Sequence, residues 1–124
     1  MEKLVLIVED SPTQALNLQA SLEAAGVQVL CAIDGVMGLK RAYQLKPALI
    51  VLDVEMPGLD GFKVCEELKR NPETTNIPVI IFSRHDRPEV IQMGEKLGAV
   101  DFIPKDAFAT AVLLETIRQM GLVN

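Results

Sequence analysis

The chain has 124 residues and a mass of 13.6 kDa, the size of one globular domain. Its 49% hydrophobic and 23% charged residues exclude a disordered or fibrous class. A net charge of −5 disfavours direct binding to nucleic acid or an anionic membrane. The longest apolar run, Leu4–Val8, is too short to span a bilayer. We therefore expect residues 1–124 to form one cytoplasmic domain.

Five short apolar runs, rich in Val and Ile, alternate with amphipathic segments of helical length. These runs predict strands at Leu4–Val8, 27–32, 48–52, 79–82 and 100–103. The first, third and fourth runs are apolar throughout, which is typical of strands covered by helices on both sheet faces. Cys31 and Cys65 are too few for a disulfide framework or a zinc site, and we expect both to be small buried residues.

Helix start and stop signals lie in the segments between the runs. Ser11 and Gln14, with Pro12 between them, predict a capping box for a first helix that ends at Gly26. The predicted apolar stripe of this helix is Ala15, Leu18, Leu22 and Ala25.

The later helices carry acidic caps. Asp34 is expected to cap the second helix, Asp60 the third, and Asp86 with Glu89 the fourth. The fifth helix is predicted over about 107–120. The predicted apolar stripe of the fourth helix is Val90, Met93 and Leu97.

Strands that are separated by single helices must be parallel, with right-handed crossovers. Five strands are too few for a closed barrel, so the prediction is a doubly wound α/β sheet with helices on both faces. Pro104 cannot donate to a strand ladder, which favours an edge position for the fifth strand. The order 2-1-3-4-5 satisfies this condition and places the ligand crevice between strands one and three.

Three acidic residues lie at the carboxyl ends of those two strands. Glu9 and Asp10 follow the first strand, and Asp53 follows the third. Two carboxylates about 5 Å apart repel by roughly 3 kcal/mol at an effective dielectric constant near 20, so a proton or a cation is needed there. Mg²⁺ suits such a set of oxygen ligands.

The ends of the fourth and fifth strands add complementary groups. Ser83 offers a hydroxyl and Lys105 an ammonium. Together with a metal, these groups could bind a phosphoryl group that is carried on a carboxylate. Asp53 would be the nucleophile, since carboxylates form acyl phosphates.

The sequence resembles the receiver domain of two-component response regulators, which has the flavodoxin-like fold of chemotaxis regulators. The resemblance covers residues 4 to about 120. It is carried by Val8-Glu9-Asp10-Ser11, by the run Asp-x-x-Met-Pro-x-x-Asp-Gly at 53–61, by Ser83 and by Lys105.

The resemblance implies a phosphorelay function. Asp53 would take a phosphoryl group from a histidine kinase or a histidine phosphotransfer protein. Mg²⁺ (or Mn²⁺) would be bound by Asp10, Asp53 and the backbone carbonyl of Glu55, and indirectly by Glu9. The protein would be a signalling switch that catalyses only its own phosphorylation and dephosphorylation.

The resemblance also implies a route to a partner. Lys105 would pair with the phosphoryl oxygens, and Ser83 would move to hydrogen-bond one of them. Phe102, at the aromatic switch position, would then turn inward. The face formed by the fourth helix, fifth strand and fifth helix would bind a downstream protein or a second copy of the chain.

The sequence departs from the family pattern at two positions beside the site. Pro104 precedes Lys105, where the family usually has a proline after the lysine. Arg84 replaces a small residue and could crowd the pocket or add a second cation. His85 and Glu55 occupy positions that the family associates with tuning the phosphate lifetime.

The same residues also bear on three other functions. A flavin carrier needs a Ser/Thr-rich phosphate loop and aromatic walls, which the acidic loop and scarce aromatics do not supply. An aspartyl phosphatase needs Asp-x-Asp on strand one, which Glu9-Asp10-Ser11 does not match. A receiver that takes no phosphate and only docks partners stays open as the alternative.

Overall fold

The computed structural model describes residues 3–56, 60–84 and 86–123. In these residues strands and helices alternate strictly, which confirms the predicted (βα)₅ pattern. The elements are β1 (Leu4–Val8), α1 (Pro12–Ala24), β2 (Gln28–Ala32), α2 (Gly35–Leu45), β3 (Leu49–Leu52), α3 (Gly61–Arg70), β4 (Val79–Ser83), α4 (Pro88–Lys96), β5 (Asp101–Pro104) and α5 (Ala109–Gln119). Most ends lie within two residues of the predicted ones.

The strands form one parallel sheet in the predicted order β2-β1-β3-β4-β5. β5 is an edge strand, with Pro104 opposite Ser83 of β4. Every residue of β1, β3 and β4 is buried, as the all-apolar runs predicted.

Helices cover both faces of the sheet and create two core layers. On one face, Leu22 of α1 and Leu113 of α5 pack against alternate residues of β1, β3 and β4. On the other face, Ala42 of α2 and Val64 of α3 pack against the intervening residues. Cys65 is fully buried as expected, whereas Cys31 is only half-buried. No helix in the described part of the chain is long and apolar enough to cross a membrane.

The capping box predicted for α1 is only half formed. The Ser11 hydroxyl accepts a hydrogen bond from the Gln14 backbone N–H at 3.3 Å, as expected. The return bond is replaced, because the Ser11 N–H donates to Glu9 Oε2 at 3.2 Å. The Gln14 side chain contacts Lys105 instead.

Two of the three predicted acidic caps are present. Asp34 and Asp60 each accept a hydrogen bond from the backbone N–H three residues on. The prediction that Asp86 caps α4 is wrong, because α4 begins at Pro88 with Arg87 in the N-cap position. Proline has no N–H to satisfy and a preset φ, which makes it a favourable first helical residue.

The stripe predicted for α4 is wrong at Met93, which is 45% exposed. Its neighbour Gly94 is buried, and a Cβ there would lie 2.6 Å from Ile81 Cδ1. The helix therefore packs on the sheet through Gly94. Because Gly94 faces the sheet, its neighbour Met93 faces outward.

Candidate functional site

Three carboxylates meet at the carboxyl ends of β1 and β3. These strands are neighbours, and the Asp53 N–H donates to the carbonyl of Val8 at 3.0 Å. Glu9, Asp10 and Asp53 each offer a carboxylate oxygen, and these atoms lie within 4.8 Å of one another. Glu9 is only 4% exposed and Asp53 only 6%. The predicted convergence of the three acids is therefore present in the structure.

The backbone after β3 fixes the Asp53 carboxylate. Asp53 Oδ1 accepts a hydrogen bond from the Glu55 N–H at 2.9 Å. Gly61, the first residue of α3, packs on this same backbone, where a Cβ would lie only 2.3 Å from the Asp53 carbonyl oxygen. A glycine is therefore needed at position 61 for α3 to sit this close to Asp53.

Lys105 reaches into the acidic cluster from the end of β5. Its Nζ contacts Glu9 Oε1, lies 3.1 Å from Asp53 Oδ2 and lies 3.0 Å from Gln14 Oε1. The side chain is 13% exposed, and Nζ lies 5.8 Å from the centroid of the Phe82 ring. One ammonium offsets only one of three carboxylate charges, so the site remains negatively charged.

Ser83 and Phe102 flank this cluster. Ser83 ends β4 and is fully buried, and its Oγ donates to Glu55 Oε1 at 3.2 Å. Phe102 is half-buried on β5 and lines a cavity of about 290 Å³ beneath α4, together with Ile81 and Gly94.

The donor set fits the metal that the sequence predicts. Carboxylate oxygens from Glu9, Asp10 and Asp53 are hard ligands of the kind that Mg²⁺ and Mn²⁺ prefer. A divalent cation would also offset the excess negative charge of the cluster.

The family model for the response regulator receiver domain matches residues 5–118. The chain belongs to this family. Receiver domains are signalling switches of two-component systems, as the sequence predicted.

Similar proteins agree in sequence and fold with this receiver domain. PilH of Pseudomonas aeruginosa is 42% identical over 114 residues, covering 92% of this chain and 93% of PilH. The response regulator PleD of Caulobacter vibrioides is 42% identical over 85% of this chain, which spans only 23% of PleD. The structure of the chemotaxis protein CheY4 of Vibrio cholerae has a TM-score of 0.87 and 28% identity, covering 96% of this chain and 98% of CheY4.

The structure describes Arg84, one of the departures from the family pattern, but not all the other residues that the sequence singled out. Arg84 is exposed. Residues 57–59 of the motif and His85 lie outside the described residues, so the predictions that involve them stay predictions.

Two side chains that contact Lys105 were missed by sequence reasoning. The sequence predicts Gln14 only as a capping residue and Phe82 only as part of a strand. Gln14 and Lys105 are 91 positions apart in the chain, and no local pattern connects them. In the sheet β3 and β4 separate β1 from β5, so strand order does not indicate this contact, which depends on α1 and α5 packing on the same face.

Proposed function

We propose that this receiver accepts a phosphoryl group on Asp53 from a phosphohistidine of a histidine kinase or a histidine phosphotransfer protein. The observation that carries the proposal is the setting of the Asp53 carboxylate. One oxygen accepts a hydrogen bond from the Glu55 N–H, and the other accepts one from the Lys105 ammonium. The carboxylates of Glu9 and Asp10 lie beside that of Asp53. These hydrogen bonds orient the Asp53 carboxylate, and the ammonium stabilises its negative charge. The carboxylate is also close enough to its two neighbours to bind one divalent cation together with them.

The reaction is a transfer between two nucleophiles. An Asp53 oxygen forms a bond to phosphorus, while the bond between phosphorus and the donor imidazole nitrogen breaks. The bonding electron pair stays on that nitrogen, and the imidazole leaves as a neutral group or takes up a proton. The product is an acyl phosphate with close to two negative charges, which Lys105 is placed to pair with.

Side-chain and backbone oxygen atoms around Asp53 would bind the metal. Asp10, Asp53 and the Glu55 backbone carbonyl would hold Mg²⁺ or Mn²⁺, and Glu9 would act indirectly. When bound, the cation supplies positive charge next to the phosphoryl oxygens. The contacts of Glu9 with the Ser11 N–H and with Lys105 support a peripheral role for this residue.

The signal would leave the site through Ser83 and Phe102. Ser83 Oγ exchanges its bond to Glu55 for one to a phosphoryl oxygen, and Phe102 turns toward the space that this motion opens. The cavity of about 290 Å³ beside Phe102 supports the rearrangement, because the ring has room to move.

A partner would then bind the face formed by α4, β5 and α5. This face exposes several large apolar side chains, which supports a docking role in contact with a downstream protein or a second copy of the chain. The exposed side chains are Met93, Val100, Phe108 and Val112.

The decisive test is phosphorylation with acetyl phosphate and Mg²⁺, followed by intact mass measurement. One phosphoryl group that is stable in acid and labile in base is expected on the wild type. Asp53→Asn should abolish it, because an amide is not a nucleophile here. Asp101→Asn is the matched control, since Asp101 is an exposed aspartate whose carboxylate contacts only its neighbour's N–H among the described residues.

Two outcomes would contradict the proposal. Label that persists in Asp53→Asn means that another residue accepts the phosphate. Absence of label on the wild type, with both acetyl phosphate and a phosphohistidine donor, favours a receiver that only docks partners.

A further inference from the structure

The Lys105 ammonium contacts three acceptors that come from three different parts of the chain. They are Glu9 after β1, Asp53 after β3 and the side-chain carbonyl of Gln14 on α1, the last at 3.0 Å. An ammonium has three N–H donors, so these acceptors satisfy it fully.

Gln14 differs from the other two acceptors because it is uncharged and outside the acidic cluster. The proposed function commits the Asp53 carboxylate to the metal and the phosphoryl group, and it gives Glu9 an indirect part at the metal. When Mg²⁺ binds, and before the phosphoryl group brings its own negative charge to Lys105, the carboxylates have less negative charge to offer the ammonium. The Gln14 carbonyl is not drawn away in this step.

The local structure directs the Gln14 side chain toward Lys105. Gln14 lies in the first turn of α1, where its backbone N–H is held by the Ser11 hydroxyl. The Ser11 N–H, which a capping glutamine would otherwise contact, donates to Glu9. The amide of Gln14 is thereby released from the cap.

A cavity makes the third acceptor important. A space of about 190 Å³ lies beside Lys105, lined by Gln14, Leu18 and Phe82 among others. An ammonium whose hold on Asp53 is weakened could swing into this space, which Glu9 and Asp106 also line, and away from Asp53.

We propose that Gln14 is a positioning residue, which keeps the Lys105 ammonium directed at Asp53 when Mg²⁺ engages the carboxylates, before the phosphoryl group pairs with the lysine. The inference rests on the proposed function of Asp53 and Lys105. It assigns to α1 a direct part in phosphoryl acceptance.

The first test follows the Lys105 ammonium by nitrogen–hydrogen NMR, with Mg²⁺ as the only ligand. In the wild type the signal should persist at saturating Mg²⁺. In Gln14→Leu it should disappear, because an ammonium that is not held exchanges its hydrogens rapidly with water. Gln19→Leu is the matched control on the same helix, where the amide accepts from Cys31 Sγ at 3.3 Å, and it should keep the signal.

Loss of the wild-type signal on adding Mg²⁺ would overturn the proposal. So would its survival in Gln14→Leu.

The second test is a double-mutant cycle on the rate of phosphorylation by acetyl phosphate. Gln14→Leu should slow the reaction about fivefold to tenfold, the rate equivalent of one ordinary hydrogen bond, because the contact with Lys105 is solvent-exposed. In a Lys105→Ala background it should have no further effect, because Gln14 acts through that lysine. Equal losses in both backgrounds would overturn the proposal. If the wild type takes no phosphate, the proposed function fails, whereas the NMR result still decides the role of Gln14.

Discussion

Gly61→Ala should damage the fold and the acidic site together. A Cβ at this position would lie 2.3 Å from the Asp53 carbonyl oxygen and 2.4 Å from Val54 Cα. These distances are roughly 1 Å or more short of ordinary contact, and backbone atoms cannot move aside as a side chain can. Overpacking of this kind costs about 1–3 kcal/mol, and the helix propensity of alanine returns at most about 1 kcal/mol. Because this clash is with the backbone, the cost should lie at the upper end of that range, and we expect a net loss of about 2 kcal/mol in the free energy of unfolding.

The same displacement should move Asp53 relative to Asp10 and weaken Mg²⁺ binding at least about tenfold. Urea unfolding with EDTA measures the first effect, and an NMR titration with Mg²⁺ measures the second.

Two other glycines serve as controls for Gly61→Ala. A Cβ at Gly94 meets only the flexible end of Ile81, at 2.6 Å, so Gly94→Ala should cost less. Gly121 has φ +76 and nothing within 4 Å of its built Cβ, so Gly121→Ala should lose stability from backbone strain and leave Mg²⁺ affinity unchanged. A Gly61→Ala protein that unfolds within about 0.5 kcal/mol of the wild type, the usual range of a neutral substitution, would show that the clash does not exist. Normal Mg²⁺ binding by a destabilised Gly61→Ala protein would show that α3 does not hold Asp53 in place for the metal.

Three further predictions concern other parts of the receiver. Asp10→Asn should weaken Mg²⁺ binding and stabilise the metal-free fold by about 1 kcal/mol, because one repulsive charge disappears; urea unfolding with and without Mg²⁺ checks both signs. Ser83→Ala should accept phosphate on Asp53 but lose the phosphorylation-dependent gain in partner binding or dimerisation; an unchanged gain would exclude the coupling through Ser83. Burial raises the pKa of the Cys65 thiol above its ordinary value of 9.0, so the unfolded chain loses this proton first and native stability falls as pH rises above about 9. The stability deficit of Cys65→Ala should therefore be smaller at pH 10 than at pH 8, and a deficit independent of pH would contradict this.

Much of the fold could be predicted because its signals are local. The apolar runs of β1, β3 and β4 already indicated burial on both sheet faces. Asp34 and Asp60 were identified as caps because a cap acts on an N–H only three residues away. Pro104 indicated an edge strand because the missing donor belongs to the residue itself.

The errors arose where two signals competed or where packing decided. Asp86 and Pro88 are both valid helix starts, and the preset φ of the proline determined where α4 begins. The apolar pattern favoured Met93 as the residue that faces the sheet, whereas the close contact with Ile81 places Gly94 there instead.

Part of the candidate site could be predicted from the sequence and part could not. The convergence of Glu9, Asp10 and Asp53 follows from strand order alone, and the structure places them together. The contact between Gln14 and Lys105 depends on how α1 and the end of β5 approach one another, which no local pattern records. The phosphoryl-transfer role of Asp53 stays a prediction.

The position of Lys105 relative to the acids has a consequence for how the chain can be divided. Glu9 and Asp53 precede the turn after α3, whereas Lys105 lies 96 and 52 positions after them. Pro72 and Glu73 in that turn are exposed, which makes it a natural place to cut the backbone. The cut would leave the carboxylates on one fragment and their ammonium on the other. Neither fragment alone could assemble the site, so the ion pairs of Lys105 would report that the two halves of the sheet had joined.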